Sequence, residues 1–297
     1  MITAVVVFHS DLPALQATLD SLAKQCDELL LVDVSPEGSG AGPADRHGAT
    51  LIPASDNKGY GWACNLGIAQ ARGSIVLVSN ADITYRAGSV SAMAHIAVTS
   101  GGLVTPIQFT NQSVDISMAQ DTLQLGISPS ASAIRWLGLT RGHVRDLKLN
   151  TLGKWKTTEA IDVPGELTLS GASVMATAGD WSVIGGFDEA FFLYQEDAEI
   201  TVRTRDLGLG TWVASDAHVT HSSGTNQRGL SLFALSAAAK SEQTAWHIRG
   251  HRHASLVLLQ GAGSVIRLMI ALLRGDPAAT RIWYGFLVQL AMHKGRL

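Results

Sequence analysis

Two acidic pairs, Asp188-Glu189 and Glu196-Asp197, stand close together with Phe191, Phe192 and Tyr194 between them. Carboxylates beside aromatic bulk lose part of their hydration, which raises their pKa and suits one of them to act as a general base. The same residues also suit a surface turn leading into a helix whose first turn carries acids, as a helix dipole favours. Further chemistry-bearing residues lie upstream. Asp33 ends an apolar run and can accept hydrogen bonds from a nucleobase or ribose, or close an Asx-turn. Asn80-Ala81-Asp82 ends another apolar run, where a carboxylate can help hold a hard cation on a diphosphate. Asp56-Asn57-Lys58-Gly59 precedes a helical stretch whose N-terminus favours phosphate. His221, in a Thr-His-Ser-Ser-Gly run, is a candidate metal or phosphate ligand or a structural histidine.

The elements that must position these residues alternate between strand and helix. Thr3–Phe8, Leu29–Val34, Thr50–Pro53 and Ser74–Ser79 read as buried strands. Leu12, Leu15, Leu19 and Leu22 recur at helical spacing, and Gly61–Ala71 reads as a second helix. That alternation predicts an α/β sheet, mostly parallel, with ligands at the carboxyl ends of its strands, where Asp33, Asp56 and Asp82 fall. Strand returns over Glu166–Met175 and helix over Glu196–Leu207, and Thr211–Val213 with His218–Thr220 read as edge strands. Gly38-Ser39-Gly40-Ala41-Gly42 lacks G-x-G-x-x-G spacing and Pro43 follows it, so it reads as a flexible loop and an NAD site is not supported. Residues 110–161 carry Arg135, Arg141, Arg145, Lys148, Trp136 and Trp155 without clean periodicity and read as a loop-rich insertion over the site. The Asn111-Gln112-Ser113 sequon has no meaning in a cytoplasmic protein.

The chain has 297 residues and only two cysteines, Cys26 and Cys64, which fits a reducing cytoplasm. No signal peptide is read in the first residues. The total charge of −3 is uneven. From Lys240 to Leu297 eight Lys or Arg oppose Glu242 and Asp276, leaving this tail at +6 and the rest at −9. The tail reads as three helices, Ser231–His247, Ser255–Leu273 and Pro277–Met292, lying on the protein or on a membrane surface and not spanning it. His247, His251 and His253 have metal-like spacing, but Arg249 and Arg252 among them suit phosphate or lipid headgroups instead. Nucleic acid is not expected.

Taken in order, several stretches resemble the inverting family 2 glycosyltransferases of GT-A fold, in their rhamnosyltransferase-like branch. They are Val5-Val6-Val7-Phe8, Val32-Asp33, Asn57-Lys58-Gly59 with Asn65-Leu66-Gly67, Asn80-Ala81-Asp82, Ser170-Gly171-Ala172, Gly185-Gly186-Phe187-Asp188-Glu189, Glu196-Asp197 and His221. The resemblance implies a Rossmann-like GT-A domain over residues 1–230 and basic, apolar helices over 231–297. It implies a nucleotide-sugar site drawn from Phe8, His9, Asp33, Asp56, Asn57, Gly59, Asn65, Asn80, Ala81, Gly171 and Ala172. Asp82 and His221 would hold Mg2+ or Mn2+, and Asp197, beside Glu196, would be the general base. His9 stands where many relatives carry Asn, and the metal motif has a single acid.

The implied activity is transfer of a sugar, rhamnose from dTDP-rhamnose first, to a cell-envelope polysaccharide or a polyprenyl-linked acceptor. A UDP-galactose- or UDP-glucose-dependent enzyme of the same fold and a catalytically silent sugar-nucleotide-binding protein are the alternatives. The partners expected are the nucleotide-sugar, the acceptor, an anionic surface at the inner face of the cell membrane, and a second copy of the chain as a homodimer.

Overall fold

A computed structural model of the chain describes residues 1–54, 56–110, 115–116, 119–138, 141–222 and 231–292. The sequon and the last two basic residues of the tail, Lys294 and Arg296, lie outside them. Four parallel strands, β1 (Ile2–Phe8), β2 (Glu28–Asp33), β3 (Thr50–Pro53) and β4 (Ile75–Asn80), form the N-terminal half of a nine-stranded sheet. Successive residues of β1 serve opposite faces: Val5 and Val7 join one core cluster, Ala4, Val6 and Phe8 the other. This is why the run is apolar throughout and does not alternate. One face is covered by α1 (Leu12–Leu22), the other by α3 (Tyr60–Ile68).

The second half of the sheet is mixed. After the short β5 (Ile83–Tyr85) and α4 (Ser89–Ser100) comes β6 (Leu103–Phe109). The remaining strands are β8 (Ala160–Asp162), β10 (Ser173–Thr177) and β11 (Thr211–His221), with β10 antiparallel between β4 and β6. The two expected edge strands are one strand, β11, and it lies inside the sheet, parallel to β6 and flanked by β5 and β8. Its register shifts between Ala214 and His218, and this irregularity splits the sequence pattern in two. A separate hairpin-like pair joins β7 (Leu123–Leu125) and β9 (Leu167–Leu169).

The glycine run after β2 also differs from expectation. It ends in a short helix, α2 (Ala41–His47), which accommodates Pro43 in its first turn. Gly40 precedes it with its amide 2.7 Å from Asp33 Oδ2, and a Cβ there would meet that same oxygen. The glycine therefore serves close packing against Asp33.

The 110–161 insertion is not only loop. It contains α5 (Pro129–Leu137), capped by Ser128, and α6 (Arg141–Leu152). Their apolar residues do not pack on the sheet alone. Trp136 joins a third cluster with Trp246, Leu256, Trp283 and Phe286 from the C-terminal helices α9 (Leu232–Ile248), α10 (His253–Leu273) and α11 (Pro277–Met292). Phe286 is fully buried, and Phe286→Ala would cost about 3–5 kcal/mol.

At the centre of this cluster lies a buried carboxylate. Glu242 accepts hydrogen bonds from Ser132 Oγ, the Arg135 guanidinium and the Trp136 indole. Arg267 returns to the carbonyls of Arg135 and Trp136 and lies over the Trp283 ring. Two of the tail's cations thus work inward, since Arg249 pairs with Asp206 at 2.7 Å. Arg252, Arg274 and Arg281 remain exposed. By length and composition alone α10 could cross a bilayer; Leu258 and Leu273 on it, and Met292 on α11, are exposed.

Candidate active site

The carboxyl ends of the parallel strands open into two adjoining cavities. The first, about 420 Å³, is lined by His9, Ser10 and Asp11 after β1, Val34 after β2, Asn57, Gly59 and Tyr60 before and at the start of α3, and Asn80, Ala81 and Asp82 after β4. The second, about 540 Å³, is lined by Gly171, Ala172, Glu196, Asp197 and His221, with Arg135 and Lys148 from the insertion. Tyr60, Asn80 and Leu193 belong to both.

Their common wall is held by backbone. Asn80 N donates to Ala172 O at 2.9 Å, so the end of β4 abuts the segment leading into β10. Tyr60 Oη donates to Gly171 O at 2.9 Å, and Gly171 N reaches Asp197 Oδ2 at 3.2 Å. A Cβ on Gly171 would stand 2.7 Å from the Cβ of Asp197, so only glycine lets the strand come this close. Gly59, at φ 118°, makes a second such approach, against the backbone of Phe192.

Glu196 and Asp197 open α8 (Glu196–Asp206), which follows Tyr194 and Gln195 at φ 68° and 67°. Two successive non-glycine residues in the left-handed region cost about 1–2 kcal/mol each, a strain that aims the helix start at the cavity. Burial pushes the Glu196 carboxyl well above the usual range, and the neighbouring Asp197 adds to it. Glu196 Oε2 has no hydrogen-bond partner among the described residues. Burial raises Asp197 too, but the amides of Gly171 and Ala198 favour its ionised form. Of the two, Asp197 is the one with backbone amides to hold its ionised form, those of Gly171 and Ala198, which suits it to accept a proton.

The pairing of β5 with β11 sets Ile83 opposite His221 and brings Asp82 and His221 together, with Nε2 and Oδ1 3.3 Å apart. They face different cavities, so the pair lies where the two join. His221 Nδ1 is buried without a partner among the described residues. A carboxylate and an imidazole converging on one spot suit a divalent cation whose remaining ligands are the oxygens of a diphosphate. No group of three or more His, Cys, Asp or Glu able to hold an ion occurs among the described residues, so the substrate would have to supply the rest.

Four sequence-predicted nucleotide-sugar residues lie elsewhere. Phe8 is fully buried on the core side of β1. Asn65 brackets the Gly-Gly-Phe-Asp-Glu segment, its side chain bonding Phe187 N, Phe187 O and Glu189 at 2.8–3.0 Å. Asp33, 4% exposed, takes the amides of Ser35 and Gly40 and the Ser35 hydroxyl, the Asx-turn alternative in full. Asp56 is exposed and lines neither cavity. Tyr60, Leu193, Arg135 and Lys148 also line the cavities. The sequence places the two cations only within an insertion over the site, and Tyr60 directly after Asn57–Gly59, with no role for either.

The fold is that of the GT-A glycosyltransferases, enzymes that draw their sugar from a nucleotide-sugar. Residues 3–130 match the model of Glycosyl transferase family 2, the family the motifs resemble, and the chain is a nucleotide-sugar-dependent glycosyltransferase similar to that family. An N-acetylglucosaminyl-diphospho-decaprenol L-rhamnosyltransferase of Mycobacterium tuberculosis is 26% identical over 253 aligned positions, covering 75% of this chain and 78% of that protein. Among solved structures, the mannosyltransferase PcManGT from Pyrobaculum calidifontis, in complex with GDP-Man and Mn2+, superposes with a TM-score of 0.55 at 16% identity, over 98% of this chain and 80% of that one. GalNAc-T7, with UDP, GalNAc and Mn2+, gives 0.59 at 14% identity over 83% of this chain, which spans just under half (47%) of its length. These likenesses concern the fold.

Proposed function

We propose that this enzyme transfers rhamnose from dTDP-rhamnose, with inversion, to a lipid-linked sugar diphosphate used in building the cell envelope. The observation that carries the mechanism is the meeting of two cavities at Asn80, with Asp82 on one side and Asp197 on the other. The relative named as a rhamnosyltransferase supports the donor sugar and the class of acceptor.

The nucleotide-sugar occupies the cavity bounded by His9, Asn57 and Asp82, and the acceptor the one bounded by Gly171 and Asp197. Asp197 accepts the proton of the acceptor hydroxyl as its oxygen attacks the anomeric carbon from the face opposite the leaving group. The bond from that carbon to the diphosphate breaks, and the nucleoside diphosphate departs with the electron pair. Glu196, protonated, keeps a second negative charge away from the base. Asp82 and His221 would hold Mg2+ or Mn2+, which when bound neutralises the charge of the leaving diphosphate. The Gly171 amide fixes the orientation of the base.

The exposed apolar side chains of α10 and α11 and the exposed Arg252, Arg274 and Arg281 support seating on an anionic membrane at its cytoplasmic face. Flotation with anionic and zwitterionic vesicles tests that part. For donor choice, a thermal-shift panel of dTDP-rhamnose, UDP-galactose, UDP-glucose and GDP-mannose, each with and without Mn2+, is the experiment. A metal-dependent shift with dTDP-rhamnose alone is expected, worth about 2.7 kcal/mol at a hundred times the Kd. A shift with a UDP-sugar instead would replace the donor and leave the mechanism in place.

A further inference from the structure

Tyr60, the first residue of α3, lines both cavities, and its two polar ends are committed to different segments. Its backbone amide donates to Phe192 O at 3.0 Å, and its hydroxyl to Gly171 O at 2.9 Å. These are the two segments that set Asp197. Phe192 begins the stretch that turns through Tyr194 and Gln195 into α8, and Gly171 carries the amide that reaches Asp197 Oδ2 at 3.2 Å. On its other side Tyr60 follows Asn57 and Gly59, which border the smaller cavity and are joined by a bond from Gly59 N to Asn57 Oδ1 at 3.1 Å. The ring is held apart from these bonds, edge-on to Phe187 with centroids 6.1 Å apart. Burial pushes the phenol well above its ordinary pKa, so the hydroxyl remains a donor throughout the working range of pH.

We propose that Tyr60 is a positioning residue for the base, tying the loop that borders the nucleotide-sugar cavity to both segments that place Asp197. This rests on the reading of Asp197 as the base. Glycine has the freest backbone of any residue, so the torsions of Gly171 do not by themselves aim its amide. The Tyr60 hydroxyl fixes the carbonyl side of Gly171, and the bond from Asn80 N fixes the next carbonyl, that of Ala172. Without the hydroxyl the Gly171 amide can turn away from Asp197. The carboxylate then loses a donor to its ionised form, which raises its pKa and loosens its aim. Asp197 also meets Glu196 on its own helix, Arg135 and Lys148 from α5 and α6, and Asp121 and His221 around the same cavity. Tyr60→Phe leaves all of these charges in place.

The test compares the full chain with Tyr60→Phe, which keeps the ring against Phe187 and removes only the hydroxyl. In protein carrying isotope-labelled glycine, the Gly171 amide resonance, identified by its absence from Gly171→Ala, is followed against pH. It should titrate with Asp197, lose that titration in Asp197→Asn, and shift its midpoint upward by about half a pH unit or more in Tyr60→Phe. In sugar transfer with Mn2+, using whichever nucleotide-sugar gives the metal-dependent thermal shift, kcat should fall about tenfold in Tyr60→Phe with the donor KM unchanged. A Gly171 amide that does not titrate, a midpoint unmoved by Tyr60→Phe, or an unchanged kcat would each overturn the proposal. A purely structural role for the hydroxyl would lower the thermal midpoint and leave the Gly171 titration where it was. If the titration shifted as expected while Asp197→Asn retained transfer, the link from Tyr60 to Asp197 would stand and the assignment of the base would fall.

Discussion

The two cavities, which we propose hold donor and acceptor, are built by different means. The donor cavity is assembled from the ends of β1, β2 and β4, whose neighbours in register, such as Phe8 with Asp33 and Val7 with Asn80, are fixed by the sheet itself. The acceptor cavity depends on contacts between distant parts of the chain. Its insertion wall is held by Glu242, which reaches Ser132 across 110 residues and Trp136 across 106. A sheet-built site is rigid and shared across a fold class, whereas a wall built on an insertion can change with the acceptor.

The largest effects should fall where a single group carries a cavity. Asp82→Ala should lower transfer about 10²- to 10³-fold and abolish the metal dependence of the donor thermal shift, while leaving binding of a lipid-diphosphate-linked acceptor intact. If both ligands were lost together, the halves would not be separate. Glu242→Ala should cost about 3–5 kcal/mol of stability in chemical denaturation, because it leaves the Arg135 charge unpaired beside the core. An unfolding transition split into two, with the donor shift surviving the first, would sharpen the comparison further.

Gly171→Ala should lower kcat about 10- to 100-fold with little change in donor affinity, since the added carbon displaces Asp197 and not the nucleotide. The smallest effect is a pH dependence of stability. The raised Glu196 pKa contributes stability below the ordinary value of 4.5, and this is lost progressively as pH rises from there through the folded-state pKa. Glu196→Gln lacks that loss, so its thermal midpoint should match wild type at pH 4 and exceed it increasingly toward pH 8, by at least about 1 kcal/mol. A constant difference across the range would mean that Glu196 is not protonated in the fold.

The same division decides what could be read from the sequence. That Asp82, Asp197 and His221 lie at the strand-end cavities is legible because each sits at a fixed offset from a strand end or a helix start. The C-terminal helices were legible from periodicity, with boundaries within two residues at both ends. Glu242 was counted only as one acid in a basic tail, for nothing local distinguishes a buried hub from a solvated carboxylate. Trp136 and Arg135 lacked periodicity for a related reason: the surface they pack against is supplied from beyond residue 231. Asp33 and Asn65 show the converse. Their positions in the motifs are real, but the structure uses their polar atoms to hold a loop and a turn.

In the proposed mechanism Asp197 takes the acceptor's proton and the nucleotide binds in a separate cavity. The decisive measurement pairs two readouts on Asp197→Asn: sugar transfer to a lipid-diphosphate-linked acceptor, and the metal-dependent thermal shift caused by the nucleotide-sugar. Transfer should fall about 10³-fold or more with the donor shift preserved. Retained transfer would contradict the assignment of the base, and loss of the donor shift would contradict the separation of the two cavities.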